Sequence, residues 1–102
     1  MPWVNGNLVA YLASTNAYSN NVRIIGKVLQ DAVGNAVVEA SDGRQVKIIS
    51  KSQYNAQFIC VGGRVLPDAT IEETMHCTVE DNFNLNLMNE MIVYTQKYQS
   101  LF

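Results

Sequence analysis

Charge is scarce in this chain, and neither sign dominates. Charged residues make up 16% of the 102, with seven Lys and Arg set against nine Asp and Glu. A protein that grips nucleic acid unaided gathers basic residues, because neutralised phosphates and released counterions supply most of the affinity. The sequence has no such patch. Histidine occurs once (His76) and cysteine twice (Cys60 and Cys77). Their spacing suits no metal site, so neither a metal nor another cofactor is expected. Long apolar runs are missing too. The stretch from Leu8 to Ala13 is far too short to span a bilayer and does not resemble a signal peptide. The expectation is a soluble, intracellular protein with no membrane partner. Low-complexity segments and solenoid-period repeats are also absent. What is plentiful is apolar: the chain is 48% hydrophobic, enough at this length for one domain with a packed core.

Catalytic groups are equally sparse. Glu72 and Glu73 are sequence neighbours on a strand, so they face opposite ways and do not form an acid–base pair. His76 is expected on the polar face of that strand, with Cys77 beside it on the other face. Gly62-Gly63 lies within a strand and lacks the lysine and helix that follow a phosphate loop. No catalytic residue is assigned, no small-molecule substrate is expected, and the chain is read as not an enzyme.

The pattern of residues gives the architecture. Residues 5–13 suit a short helix capped by Asn5, with Leu8, Val9 and Leu12 on one side. The small polar residues 14–21 suit a loop. Five period-two segments follow, at about residues 22–29, 36–40, 44–49, 57–66 and 70–81. Val22, Ile24, Gly26 and Val28 form the inner face of the first. Ser41-Asp42-Gly43 is expected as a three-residue loop with Gly43 left-handed. That register sets Val38 opposite Val46 and Ala36 opposite Ile48, making one face uniformly apolar, whereas a two-residue loop mixes polar and apolar on both faces.

In the fifth strand, strict alternation sets Ile71, Met75, Cys77 and Val79 on one face. By the same parity Cys60 and Cys77 point to opposite faces as buried free thiols, which argues against a disulfide. Five strands followed by a helix give the fold class: all-β with terminal helices, a five-stranded Greek-key OB-fold barrel plus a C-terminal helix. The expected division is a barrel with its short N-terminal helix over residues 1–83, then an assembly helix over 84–102.

That last helix, capped by Asn84 or Asn86, carries an apolar arc about 180° wide. This exceeds the roughly 100° stripe needed to lie on one surface. One half is expected to contact the barrel and the other half partner helices. The candidate partner-binding residues are Leu87, Met88, Met91, Ile92, Thr95, Tyr98 and Phe102.

Several motifs now form an ordered set. Val22-Arg23-Ile24-Ile25-Gly26-Lys27-Val28, Ser41-Asp42-Gly43, Val61-Gly62-Gly63-Arg64-Val65 and Ala69-Thr70-Ile71 occur in this order. Phe83-Asn84-Leu85-Asn86-Leu87-Met88-Asn89-Glu90 follows, and Val4-Asn5-Gly6-Asn7-Leu8 precedes them. Together they resemble the smallest subunit of replication protein A over nearly the whole chain. The resemblance implies a heterotrimer in which this helix joins one helix from each of the middle and large OB-fold subunits in a three-helix bundle. The implied complex coats single-stranded DNA during replication, repair and recombination in the nucleus. The chain departs from the pattern in a short segment before the helix and in having no tail beyond Phe102.

Direct DNA contact by this chain is expected to be weak. The outward residues of strands two and three are Val37, Glu39, Gln45, Lys47 and Ile49, and none is aromatic. Base stacking is worth about 1–3 kcal/mol per base, so the platform lacks its main contribution. Any weak contact falls to Arg23, Arg44, Lys47 and Lys51. Two other readings stay open: a small OB subunit of a telomere-dedicated complex of replication protein A-like or CST type, and a stand-alone binder of single-stranded nucleic acid.

Overall fold

The computed structural model describes residues 3–14, 21–80 and 84–97, with side chains up to residue 94. Two helices, α1 (Gly6–Ser14) and α2 (Leu85–Lys97), flank five strands: β1 (Asn21–Ala32), β2 (Asn35–Ala40), β3 (Gln45–Ile49), β4 (Phe58–Val65) and β5 (Ile71–Val79). The strands close into a barrel in the order β1-β2-β3-β5-β4. The seam between β3 and β5 is parallel, and the other pairs are antiparallel. This is the five-stranded OB-fold. Neither helix is long and apolar enough to cross a membrane among the described residues.

Asn5 caps α1 as expected, its Oδ1 accepting the Leu8 amide at 3.1 Å. Asp42, in the β2–β3 turn, accepts the next free amides, those of Gly6 at 3.1 Å and Asn7 at 2.9 Å. A carboxylate there also suits the positive end of the helix dipole. Gly6 is needed for this approach, since a Cβ on it would collide with Cβ of Arg44. The turn thus ties α1 to the barrel, while Val9 is buried and Leu8 and Leu12 pack against the core.

The β2–β3 hairpin takes the three-residue loop. Ala36 pairs with Ile48 and Val38 with Val46, Gly43 has φ +84°, and its amide donates to the Ala40 carbonyl at 2.9 Å. The inward set, Val22, Ile24, Ala36, Val38, Val46, Ile48, Ile59, Val61, Val65 and Ile71, forms the core. Each buried Val or Ile contributes about 1.5–3 kcal/mol of transfer free energy. β1 runs longer than its apolar alternation, to Ala32, because a bulge at Leu29 restarts its pairing with β2 at Gln30. The polar residues 15–20, most of the expected loop, lie outside the described residues.

β5 departs from strict alternation. Pairing with β4 slips between Gly62 and Gly63: Met75 faces Gly62, Glu73 faces Gly63, and Thr74 has no partner. The Thr74 hydroxyl donates to the Gly62 carbonyl at 3.1 Å. The bulge has a local cause, since a Cβ on Gly63 would run into the Glu72 carbonyl, so only glycine lets the strands approach there. One extra residue reverses the facing of everything after it. Glu73, which precedes the extra residue, is buried in ordinary alternation with Ile71; beyond it Met75 is exposed, and His76 turns inward opposite the buried Val61. The expectation for the cysteines is corrected by the same slip. Cys60 and Cys77 are direct cross-strand partners on one face, and Cys77 is exposed while Cys60 is buried.

Candidate interaction site on the C-terminal helix

Asn84, rather than Asn86, caps α2, accepting the Leu87 amide at 3.1 Å. From there the apolar arc divides. Met88 and Ile92, one turn apart, are buried in a cluster with Ile25 of β1, against which Trp3, Leu8, Val79 and Leu85 pack. Asn89 sits beside them and locks the helix in place. Its Oδ1 accepts from Asn5 Nδ2 at 3.0 Å and from the Ser41 hydroxyl at 3.3 Å. Leu87, Met91 and Tyr94 occupy the i, i+4 and i+7 positions of a different stripe and are 63%, 44% and 52% exposed. At about 100° per residue the two stripes are centred roughly 120° apart. The helix is therefore held by one apolar face and presents another.

This sorting divides the candidate partner-binding residues between two faces. Met88 and Ile92 are buried against the chain's own barrel. Leu87 and Met91 are on the outward stripe. Tyr94 and Val93, which the list omitted, are also exposed; Tyr94 belongs to the apolar arc and was legible there. The side chain of Thr95 and the whole of Tyr98 and Phe102 lie outside the described residues.

The four cations considered for DNA contact are dispersed. Arg23 stacks over the Trp3 ring at 4.3 Å on the β1 surface. Arg44 faces Asp42 at 3.9 Å near the start of α1. Lys47 is exposed on β3, level with Val37. Lys51 donates to the Thr74 carbonyl at 3.5 Å. Arg44 and Lys51 bracket β3 and, at about 3.3 Å per residue, lie roughly 20 Å apart. The outer faces of β2 and β3 carry Val37, Glu39, Gln45, Lys47 and Ile49, as the register requires.

A polar cluster lies beside the core, which includes Tyr54. Tyr54, in the β3–β4 connection, donates to Glu73 Oε1 at 2.6 Å. His76 Nδ1 lies 2.9 Å from Glu73 Oε2, and the Lys51 amide donates to Oε1 at 3.4 Å. The Tyr54 and His76 rings pack at 4.9 Å. Burial alone would raise the Glu73 pKa, but donation from Tyr54, His76 and the Lys51 amide outweighs it and holds the carboxyl below its ordinary value. Burial first, then donation to Glu73, pushes the Tyr54 phenol far up. The donors are spent on one carboxylate, and the result is a satisfied polar cluster.

Fold and site together define a class: a small OB-fold protein whose C-terminal helix docks on its own barrel and keeps an apolar stripe outward. The Replication factor A protein 3 family model matches residues 2–102. The chain belongs to that family. Among solved structures it is similar to a chain of U. maydis replication protein A bound to single-stranded DNA (19% identity, TM-score 0.85), covering 100% of this chain and 94% of that one. It is also similar to the S. pombe telomere capping protein Ten1 (14% identity, TM-score 0.73), covering 93% of this chain and 96% of that one. A chain of the S. pombe Stn1–Ten1 complex matches at the same identity and TM-score, with 93% and 90% coverage. No curated protein sequence matches the chain.

Proposed function

We propose that this chain is the assembly subunit of a replication protein A-like heterotrimer. It joins a middle and a large OB-fold subunit through a three-helix bundle to which α2 contributes one helix. The complex binds single-stranded DNA in replication, repair and recombination in the nucleus, and this chain adds little DNA contact of its own. The observation that carries the reading is the outward stripe of Leu87, Met91 and Tyr94 on a helix already fixed by Met88, Asn89 and Ile92. A helix that needs only one face to dock has no reason of its own to keep a second apolar face in water.

The experiment is affinity purification of the tagged chain from nuclear extract, with Leu87→Glu/Met91→Glu as the comparison. Each side chain, if buried at a bundle, is worth about 1.5–3 kcal/mol, and a buried charge adds to the loss. The wild type is expected to bring down two larger OB-fold subunits in equal amounts and the variant neither, with unchanged thermal stability. Recovery of the wild type alone, or with nucleic acid only, would overturn the proposal.

A second reading is favoured by the similarity to Ten1 and to the Stn1–Ten1 complex: a small OB subunit dedicated to telomeres. The same purification separates the two readings by the identity of the larger chains.

A further inference from the structure

We propose that Cys60 and Cys77 form a reversible oxidation site, a cross-strand dithiol that a low-molecular-weight disulfide such as oxidised glutathione converts into an intramolecular disulfide. The geometry comes from the bulge at Thr74. Without it the two side chains would lie on opposite faces; with it they are register partners on adjacent antiparallel strands. Directly opposed residues in such a pair share a face, with Cα atoms about 4.5–5.5 Å apart. That spacing lies within the roughly 4.4–6.8 Å that a disulfide bridges.

The two sulfurs differ in access, which sets the order of events. Cys77 is exposed, so it meets the oxidant first. Cys60 is buried, and burial together with the neighbouring Cys77 pushes its thiol up to about 11, so it waits as the resolving group. The Cys77 thiolate attacks one sulfur of oxidised glutathione, forming a mixed disulfide and releasing one glutathione thiolate. That thiolate takes the Cys60 proton. The Cys60 sulfur then attacks Cys77, expelling the second glutathione thiolate, which is protonated by solvent to replace the proton lost from Cys77. The protein loses two electrons and two protons, and oxidised glutathione becomes two reduced molecules.

The site is separate from the outward stripe of α2 but adjoins its seat. Cys60 is level with Ile25 on β1, and Ile25 is the barrel residue buried with Met88 and Ile92. A bridge there would therefore form next to the surface that holds the helix.

The test incubates the full chain with graded mixtures of oxidised and reduced glutathione, followed by unfolding, alkylation and mass spectrometry. The expected product is two hydrogens lighter, takes no alkyl group, yields a linked peptide pair containing Cys60 and Cys77, and reverts with dithiothreitol. Cys60→Ser is expected to stop as a stable adduct of one glutathione on Cys77. Cys77→Ser, a change at an exposed position, is expected to stay unmodified while folded. The proposal is overturned if the wild type stops at the adduct with Cys60 still alkylated, forms only a disulfide-linked dimer, or stays unmodified across the series.

Discussion

Glu73 is a carboxylate whose burial in the protein is made tolerable by three donors. Replacing Tyr54 by Phe removes the 2.6 Å donor while keeping the ring against His76. The expected cost is about 1–3 kcal/mol, the usual penalty for stripping a partner from a buried charged group, measured by urea unfolding at neutral pH. A pH dependence follows from the same carboxyl. Its folded-state pKa lies below the ordinary 4.5, so its contribution to stability is complete above about pH 4.5 and is lost as pH falls through the folded value. Glu73→Gln is expected to be less stable than wild type at neutral pH. It should also show a flatter loss of stability as pH falls below about 4.5. An acid limb as steep as that of the wild type would show that other carboxylates control it. None of this cluster was legible from residue types. Tyr54 sits in a polar stretch with no periodicity, and His76 reaches the face of Glu73 only through one inserted residue.

Among the elements, the β2–β3 hairpin was legible down to its pairing because only one loop length makes a face wholly apolar. The same logic failed in β5. Alternation is a rule for unbulged strands, and the sign of the bulge lay elsewhere, in Gly62-Gly63 on the neighbouring strand. Gly63→Ala is expected to cost about 1–3 kcal/mol, as overpacking does, because the obstructing atom is the Glu72 backbone carbonyl and not a side chain that can swing away. A change within a few tenths of a kcal/mol would mean that the strands separate freely there. The helices make a second case. Periodicity showed how wide the apolar arc of α2 is, but not which half the barrel takes. That choice rests on Asn5, Ser41 and Asn89, polar residues far apart in sequence. Asn5 both caps α1 and bonds to α2, so Asn5→Ala is expected to cost more than the ~1 kcal/mol of an ordinary cap. A double-mutant cycle with Asn89→Ala should give a coupling energy of at least about 0.5 kcal/mol. Strict additivity would mean that the inter-helix bond contributes nothing.

For the molecule as a whole, the balance of seven basic against nine acidic residues and the dispersal of the four cations lead to one expectation. The isolated chain should bind single-stranded oligonucleotides no more tightly than micromolar at physiological salt, as fluorescence anisotropy would measure. Nanomolar binding would require a surface that neither the bare β2–β3 face nor these cations supplies. The seat of α2 also has a consequence in time. It is assembled from Trp3, Asn5 and Leu8 near the start of the chain, together with Ile25 and Val79 of the barrel. During synthesis all five strands leave the ribosome before Met88 and Ile92 do, and domains fold as they emerge. The seat therefore closes only once the last helix has followed the strands out. A tag or truncation that disturbs the first few residues would therefore weaken the hold on the last helix, at the opposite end of the sequence.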